Sequence, residues 1–244
     1  MTEAEWLACE APTPMLEFLQ GRSSRKLRLF ACACCRTVWS QIPEGICQEA
    51  IVAAEQHADG QMTDDELGRV VSAVHRQRRR RSVIDRAVYE TVRCPRGTVY
   101  YSAGSVAGMV AGYVAAYAAP NPSPTLRVYW QGDQMIEERF PPNADRLTWE
   151  AISARHLRDS ADLLRDIFGN PFRPAAQDPA WRTETVLALA RGIYEERAFD
   201  RMPILADALQ DAGCTSEDVL GHCRDAKQVH VRGCWVVDLV LGKE

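Results

Sequence analysis

The sequence predicts a mainly α-helical protein, a compact multi-helix domain carrying one inserted β-hairpin. Apolar residues recur every three to four positions through most of the chain, and helix start and stop residues punctuate that pattern at short intervals. Strand character is confined to one stretch near 126–140. With 244 residues, 46% apolar and 25% charged, the chain can bury a substantial core without disulfide or metal staples.

Thr2 and Glu5 form a capping box for a first helix over Glu3 to Cys9, each side chain serving a backbone N–H of the other residue. Thr13 as cap and Pro14 at the first helical position predict a second, Met15 to Gln20, stopped by Gly21. Ser23 or Ser24 caps a third that runs to about Gln41 with Leu27, Phe30, Cys34 and Val38 on one face. Glu44 to Asp59 is the fourth, ending before Gly60. A second box, Thr63 with Glu66, opens a long helix from Asp64 to about Val92. Its stripe of Leu67, Val70, Val71 and Val74 lapses across Arg76 to Arg81 and resumes at Ile84 and Val88 before Cys94 and Pro95 end it.

Tyr100 to Ala119 is an Ala- and Gly-rich helix in which each glycine costs about 1 kcal/mol that close packing must offset. Pro120, Pro122 and Pro124 forbid helix. Leu126 to Trp130 and Met135 to Phe140 then flank Gln131-Gly132-Asp133-Gln134 as a hairpin. Asp145 to Phe168 returns to helix and stops at Gly169-Asn170-Pro171. Three further helices are Thr183 to Phe199, Pro203 to Ala212, and Ser216 to Cys223 capped by Thr215; Arg232 to Leu241 fits helix better than strand. The seam falls at Pro171 to Asp178, between an N-terminal region, 1–170, holding the hairpin, and a C-terminal region, 179–244, packed with it as one domain.

The two ends carry a resemblance. Met1-Thr2-Glu3-Ala4-Glu5-Trp6, Pro14-Met15-Leu16 and Arg25-Lys26-Leu27-Arg28-Leu29-Phe30-Ala31-Cys32 stand at the start. Towards the end stand Leu164-Arg165-Asp166-Ile167-Phe168-Gly169-Asn170-Pro171-Phe172-Arg173-Pro174, Ile204-Leu205-Ala206-Asp207-Ala208-Leu209 and His230-Val231-Arg232-Gly233-Cys234-Trp235. With these segments the chain resembles a paralogous family of uncharacterised helical proteins from planctomycete bacteria. The resemblance implies a helical fold and a lineage, and brings no activity, cofactor or catalytic residue with it. Val92 to Asp145 departs from the family's alanine-rich helical filling through the prolines and the hairpin.

A net charge of -4 gives no overall attraction to nucleic acid or to an anionic membrane. Met1 to Glu10 has neither the basic region nor the apolar run of a leader, and Val106 to Ala119 falls short of the roughly 20 residues a spanning helix needs. The expected location is the cytoplasm, where most of the nine cysteines stay reduced.

Four soft donors, His222, Cys223, His230 and Cys234, stand within thirteen residues, and zinc takes four such N or S donors in a tetrahedron. Against a metal stand the missing Cys-x-x-Cys knuckle and the tendency of helical neighbours such as His222 and Cys223 to point apart. Small residues at a helix contact explain the same pattern. Cys32, Cys34 and Cys35 read as tight helix packing. Arg76, Arg78, Arg79, Arg80 and Arg81 could track phosphates, but consecutive arginines cover every face of a helix and suit a solvated or carboxylate-paired segment better. A helix-turn-helix reading of Ile204 to Arg224 is opposed by Glu217 and Asp218 where a recognition helix would meet phosphates. Asp159, Asp162 and Asp166 alternate with arginines and read as solvated ion pairs.

No nucleophile elbow, phosphate loop or His-Glu-x-x-His pair is present, so the sequence leans away from an enzyme. The first expectation is a noncatalytic protein-interaction or regulatory module whose hairpin residues Tyr129 and Trp130 contact a protein partner. The alternatives are a zinc protein using the C-terminal Cys/His cluster, and nucleic-acid binding through the arginine helix; no cofactor is expected, with zinc the possible exception.

Overall fold

The computed structural model describes residues 1–42, 44–77, 83–93, 104–110, 127–131, 134–138, 146–176 and 178–243, and these are mainly helical. They divide into two compact units: Met1–Ala8 with Asp162–Glu244, and Cys9–Ala161. The division falls inside one helix, between Ala161 and Asp162, while residues 171–178 lie within the first of these units.

In the unit Cys9–Ala161, α2 (Pro12–Phe18) begins earlier than Thr13 and Pro14 suggest. Pro12 takes the first turn, where its locked φ fits and its missing N–H has no partner to lose, so Thr13 is inside the helix rather than its cap. α3 (Ser24–Arg36) is capped by Ser23, whose hydroxyl accepts the Lys26 N–H, and it ends at Arg36; a separate 3-10 turn covers Trp39–Gln41. Every residue from Leu27 to Cys35 is buried, which puts α3 at the centre of its unit instead of leaving it one wet face.

α4 (Ile46–Ala58) packs on α3, α5 (Asp64–Gln77) and α6 (Val83–Arg93). Its small buried residues Ala50, Ala53 and Ala54 let neighbouring backbones come close. The long helix expected from Asp64 to Val92 is two helices packed on each other: the His75 and Tyr89 rings are 5.7 Å apart, where one continuous helix would separate them by about 21 Å. The lapse of the apolar stripe after Arg76 marks the break. Residues 104–110 form α7, with Val106, Ala107, Met109 and Val110 buried. β1 (Arg127–Gln131) and β2 (Gln134–Glu138) pair antiparallel, with Tyr129 opposite Ile136 and Trp130 opposite Met135; their side chains lie outside the described residues. α8 (Arg146–Phe168) closes this unit and enters the next.

The other unit begins with α1 (Glu3–Ala8), held by the expected box: the Thr2 N–H donates to Glu5 at 2.7 Å and the Glu5 N–H to Thr2 at 3.3 Å. After α8 come α9 (Glu184–Glu196, capped by Thr183), α10 (Met202–Asp211), α11 (Glu217–Arg224) and α12 (Trp235–Leu241). Ser216, not Thr215, caps α11, since its hydroxyl accepts the Val219 N–H. α9 packs against α10 and α12, and α10 against α11, around Ile193, Met202, Leu205, Leu209, Val219 and Val237. Arg232 and Lys243 each lie over the Tyr194 ring, at 4.6 and 4.3 Å, which ties both ends of the α12 segment to α9.

Candidate metal centre

Leu163, Asp166 and Ile167 follow the i, i+3, i+4 spacing of a helix face, and all three are buried. The last turns of α8 therefore carry an acid on the stripe that the core takes. The solvated ion-pair reading fails for this residue: Asp162 pairs with Arg165 at 2.7 Å, whereas Asp166 is fully buried.

Three of the four C-terminal candidates surround that carboxylate. His222 comes from α11, His230 from the loop that follows it, and Cys234 is the residue immediately before α12. Asp166 Oδ1 lies 3.1 Å from His222 Nε2 and 2.8 Å from His230 Nδ1, while Oδ2 accepts the Val231 N–H at 2.8 Å. Cys234 Sγ lies 3.3 Å from His222 Nε2 and 3.8 Å from His230 Nδ1. One donor atom from each of Asp166, His222, His230 and Cys234 falls within 4.8 Å of every other. The two imidazoles meet edge to face, 76° apart with centroids at 4.8 Å, and the His222 ring rests against Trp235 at 5.1 Å.

Burial by itself would raise the Asp166 carboxyl, but hydrogen bonds from His222 and His230 outweigh it and hold the group below its ordinary value. Burial, reinforced by the charge of Asp166, pushes the Cys234 thiol well up. A thiol kept neutral by burial is a poor nucleophile.

A Cys-His-Asp relay is one chemistry these residues could perform, and the geometry argues against it. A relay uses the two nitrogens of one imidazole on opposite sides, one towards the nucleophile and one towards the acid. Here the same nitrogen of each ring faces both the carboxylate and the sulfur, and His230 Nε2 is buried without a partner among the described residues. One nitrogen per ring aimed at a shared point is how ligands meet a metal. Donors 2.0 to 2.3 Å from a tetrahedral ion stand about 3.3 to 3.8 Å apart; the Cys234 contacts with the two imidazoles match this, the imidazole contacts with Asp166 are shorter, and the group as a whole spreads up to 4.8 Å.

Cys223 is not part of the group. It is buried in the core with Val219 and Cys214, and burial is the main cause that pushes its thiol up to about 12. Successive helical residues point about 100° apart, so His222 and Cys223 cannot both reach one centre. Asp166 takes the fourth place, and only its position on an otherwise apolar stripe marks it in the sequence.

A cleft of about 350 Å³ adjoins the group; His222, Trp235, Asp218 and Gln228 line it, as do Arg165 and Asn170 from the α8 end. Of the other sequence candidates, Arg76 is exposed on α5, while Arg78, Arg79, Arg80 and Arg81 lie outside the described residues, as do the side chains of Tyr129 and Trp130. Cys32, Cys34 and Cys35 are buried in α3, as tight packing requires. No helix among the described residues is long and apolar enough to cross a membrane. Compared with known proteins, the chain matches no family model, no curated protein and no solved structure.

Proposed function

We propose that the protein is a noncatalytic helical module whose C-terminal unit is held together by one zinc ion on Asp166, His222, His230 and Cys234. The convergence of four donor atoms from three elements, with one nitrogen of each imidazole directed inward, carries this reading. Zinc suits the donor set, being borderline between hard carboxylate and soft thiolate. Its two positive charges balance the carboxylate and a thiolate, so the buried centre is neutral overall. Four protein ligands fill a tetrahedron and leave no place for substrate, which supports a structural role over a hydrolytic one.

Protein purified without a metal-affinity tag and analysed for metals should hold one zinc per chain. Chelation should lower its thermal midpoint, because an ion present at 1,000 times its dissociation constant stabilises the folded state by about 4 kcal/mol. Metal-free protein that neither takes up zinc nor gains stability from it would sink the proposal.

The interaction role is assigned to the hairpin. Residue type supports that choice, since Tyr and Trp are enriched among the side chains that carry binding energy at protein interfaces. A pull-down in which Trp130→Ala retains every partner of the wild type would count against it.

A further inference from the structure

We infer that His222 is the exchangeable ligand of this centre, and that the adjoining cleft is the path by which the ion, or an exogenous nitrogen donor, reaches it. The inference rests on the metal reading and adds a direction to it. Asp166 and Cys234 are sealed from solvent and the His230 side chain is 5% exposed, whereas that of His222 is 12% exposed and forms part of the cleft wall. Of the four ligands, His222 is the one that the cleft touches. Its imidazole therefore stands between the cleft and the point where the donor atoms meet.

The support behind the ring is specific. Trp235 packs against His222 at 5.1 Å and itself lines the cleft. The indole is seated in turn on Gly169, where an added Cβ would come within 3.1 Å of it. Both rings are bonded to Asp166 Oδ1, but His230 is also next in the chain to Val231, whose N–H is bonded to Oδ2 of the same carboxylate. A rotation of the His222 side chain leads into the cleft, whereas His230 contributes nothing to the cleft wall.

Imidazole rescue tests this directly, with cobalt(II) as a coloured probe of tetrahedral coordination. In His222→Gly, imidazole can enter from the cleft and fill the vacated position; in His230→Gly the vacated space is closed. Imidazole should restore most of the tetrahedral cobalt absorption to His222→Gly and none to His230→Gly. Failure to rescue His222→Gly, or equal rescue of both, overturns the inference while wild-type cobalt binding leaves the metal reading standing. Wild-type protein that binds no cobalt or zinc removes both.

Should circular dichroism show His222→Gly to be unfolded, Trp235→Ala gives an independent readout with all four ligands intact. Zinc transfer to a small chelator should be about tenfold faster or more than in wild type, at unchanged stoichiometry, because a neighbour that orients a ligand ring contributes on that scale. An unchanged transfer rate overturns the inference.

Discussion

His230 Nδ1 lies 2.8 Å from Asp166 Oδ1, joining residues 64 positions apart in a contact from which nearly all water is excluded. The same oxygen meets His222 Nε2 at 3.1 Å, so one carboxylate from α8 organises a C-terminal segment that approaches it from two directions. An acid buried this deeply must be hydrogen-bonded or bound to a cation. Asp166→Asn keeps the shape and loses the charge. It should destabilise the metal-free protein by about 1–3 kcal/mol and abolish tight zinc uptake, as read by urea unfolding and by metal titration. Unaltered zinc affinity would remove Asp166 from the ligand set.

The two neighbouring thiols should separate cleanly. Cys234→Ser removes the only sulfur of the proposed set and should cost zinc, whereas Cys223→Ala should keep one zinc per chain and lose only packing, about 1 kcal/mol. Metal analysis of the two variants side by side decides it; loss of zinc in Cys223→Ala would restore that residue to the site.

Gly169 and Gly213 both adopt left-handed backbone, at φ 66° and 89°, but their surroundings differ. A Cβ at Gly169 would press on Trp235 at 3.1 Å, while nothing stands within 4 Å of one at Gly213. Gly213→Ala should cost only the left-handed penalty, about 1–2 kcal/mol. Gly169→Ala should cost more and shift the emission of Trp235, which denaturation followed by tryptophan fluorescence will show.

In the other unit, Arg36 grips Glu55 with two hydrogen bonds, at 3.1 and 2.9 Å, and lies 3.8 Å over the Trp39 ring. The Glu55 side chain is 3% exposed, so Arg36→Ala takes two charge-assisted hydrogen bonds from a buried carboxylate. It should destabilise the protein by about 1.5–3 kcal/mol. Arg36→Lys should recover only part of that, since an ammonium offers neither the fork nor the flat stacking face. Equal stability of wild type and Arg36→Lys in denaturant melts would contradict this account.

Alkali should weaken the fold through the α3 thiols. Burial pushes Cys35 up from 9.0 to about 12, and Cys32 and Cys34 also rise through burial. A group whose folded pKa is raised contributes its stability below the unfolded value and loses it as pH climbs towards the folded one. The denaturant midpoint should therefore fall between pH 9 and 12 as the unfolded chain gives up protons that the folded chain keeps. Replacing Cys35 with Ala should flatten part of that decline; an unchanged slope would assign it to other groups.

Helix starts were the most legible feature of the chain. Thr2 with Glu5 and Thr63 with Glu66 form the reciprocal bonds that their spacing implies, because a capping box closes within four residues and needs no tertiary help. Where two local preferences competed, the sequence pointed to the wrong one: Thr13 yielded to Pro12, and Thr215 to Ser216. The gap in the apolar stripe after Arg76 was visible, yet it takes the packing of α5 on α6, with His75 against Tyr89, to show two helices in place of one.

At the candidate metal centre, the sequence by itself determined that His222, His230 and Cys234 lie close in the chain, and that adjacent positions on α11 diverge. Which neighbour would face the core, and that an aspartate 56 residues upstream of His222 would complete the group, only the tertiary structure decided. The reason is physical: helical periodicity and capping act over a turn or two, whereas the meeting of α8 with the C-terminal segment is set by how whole helices bury their apolar faces.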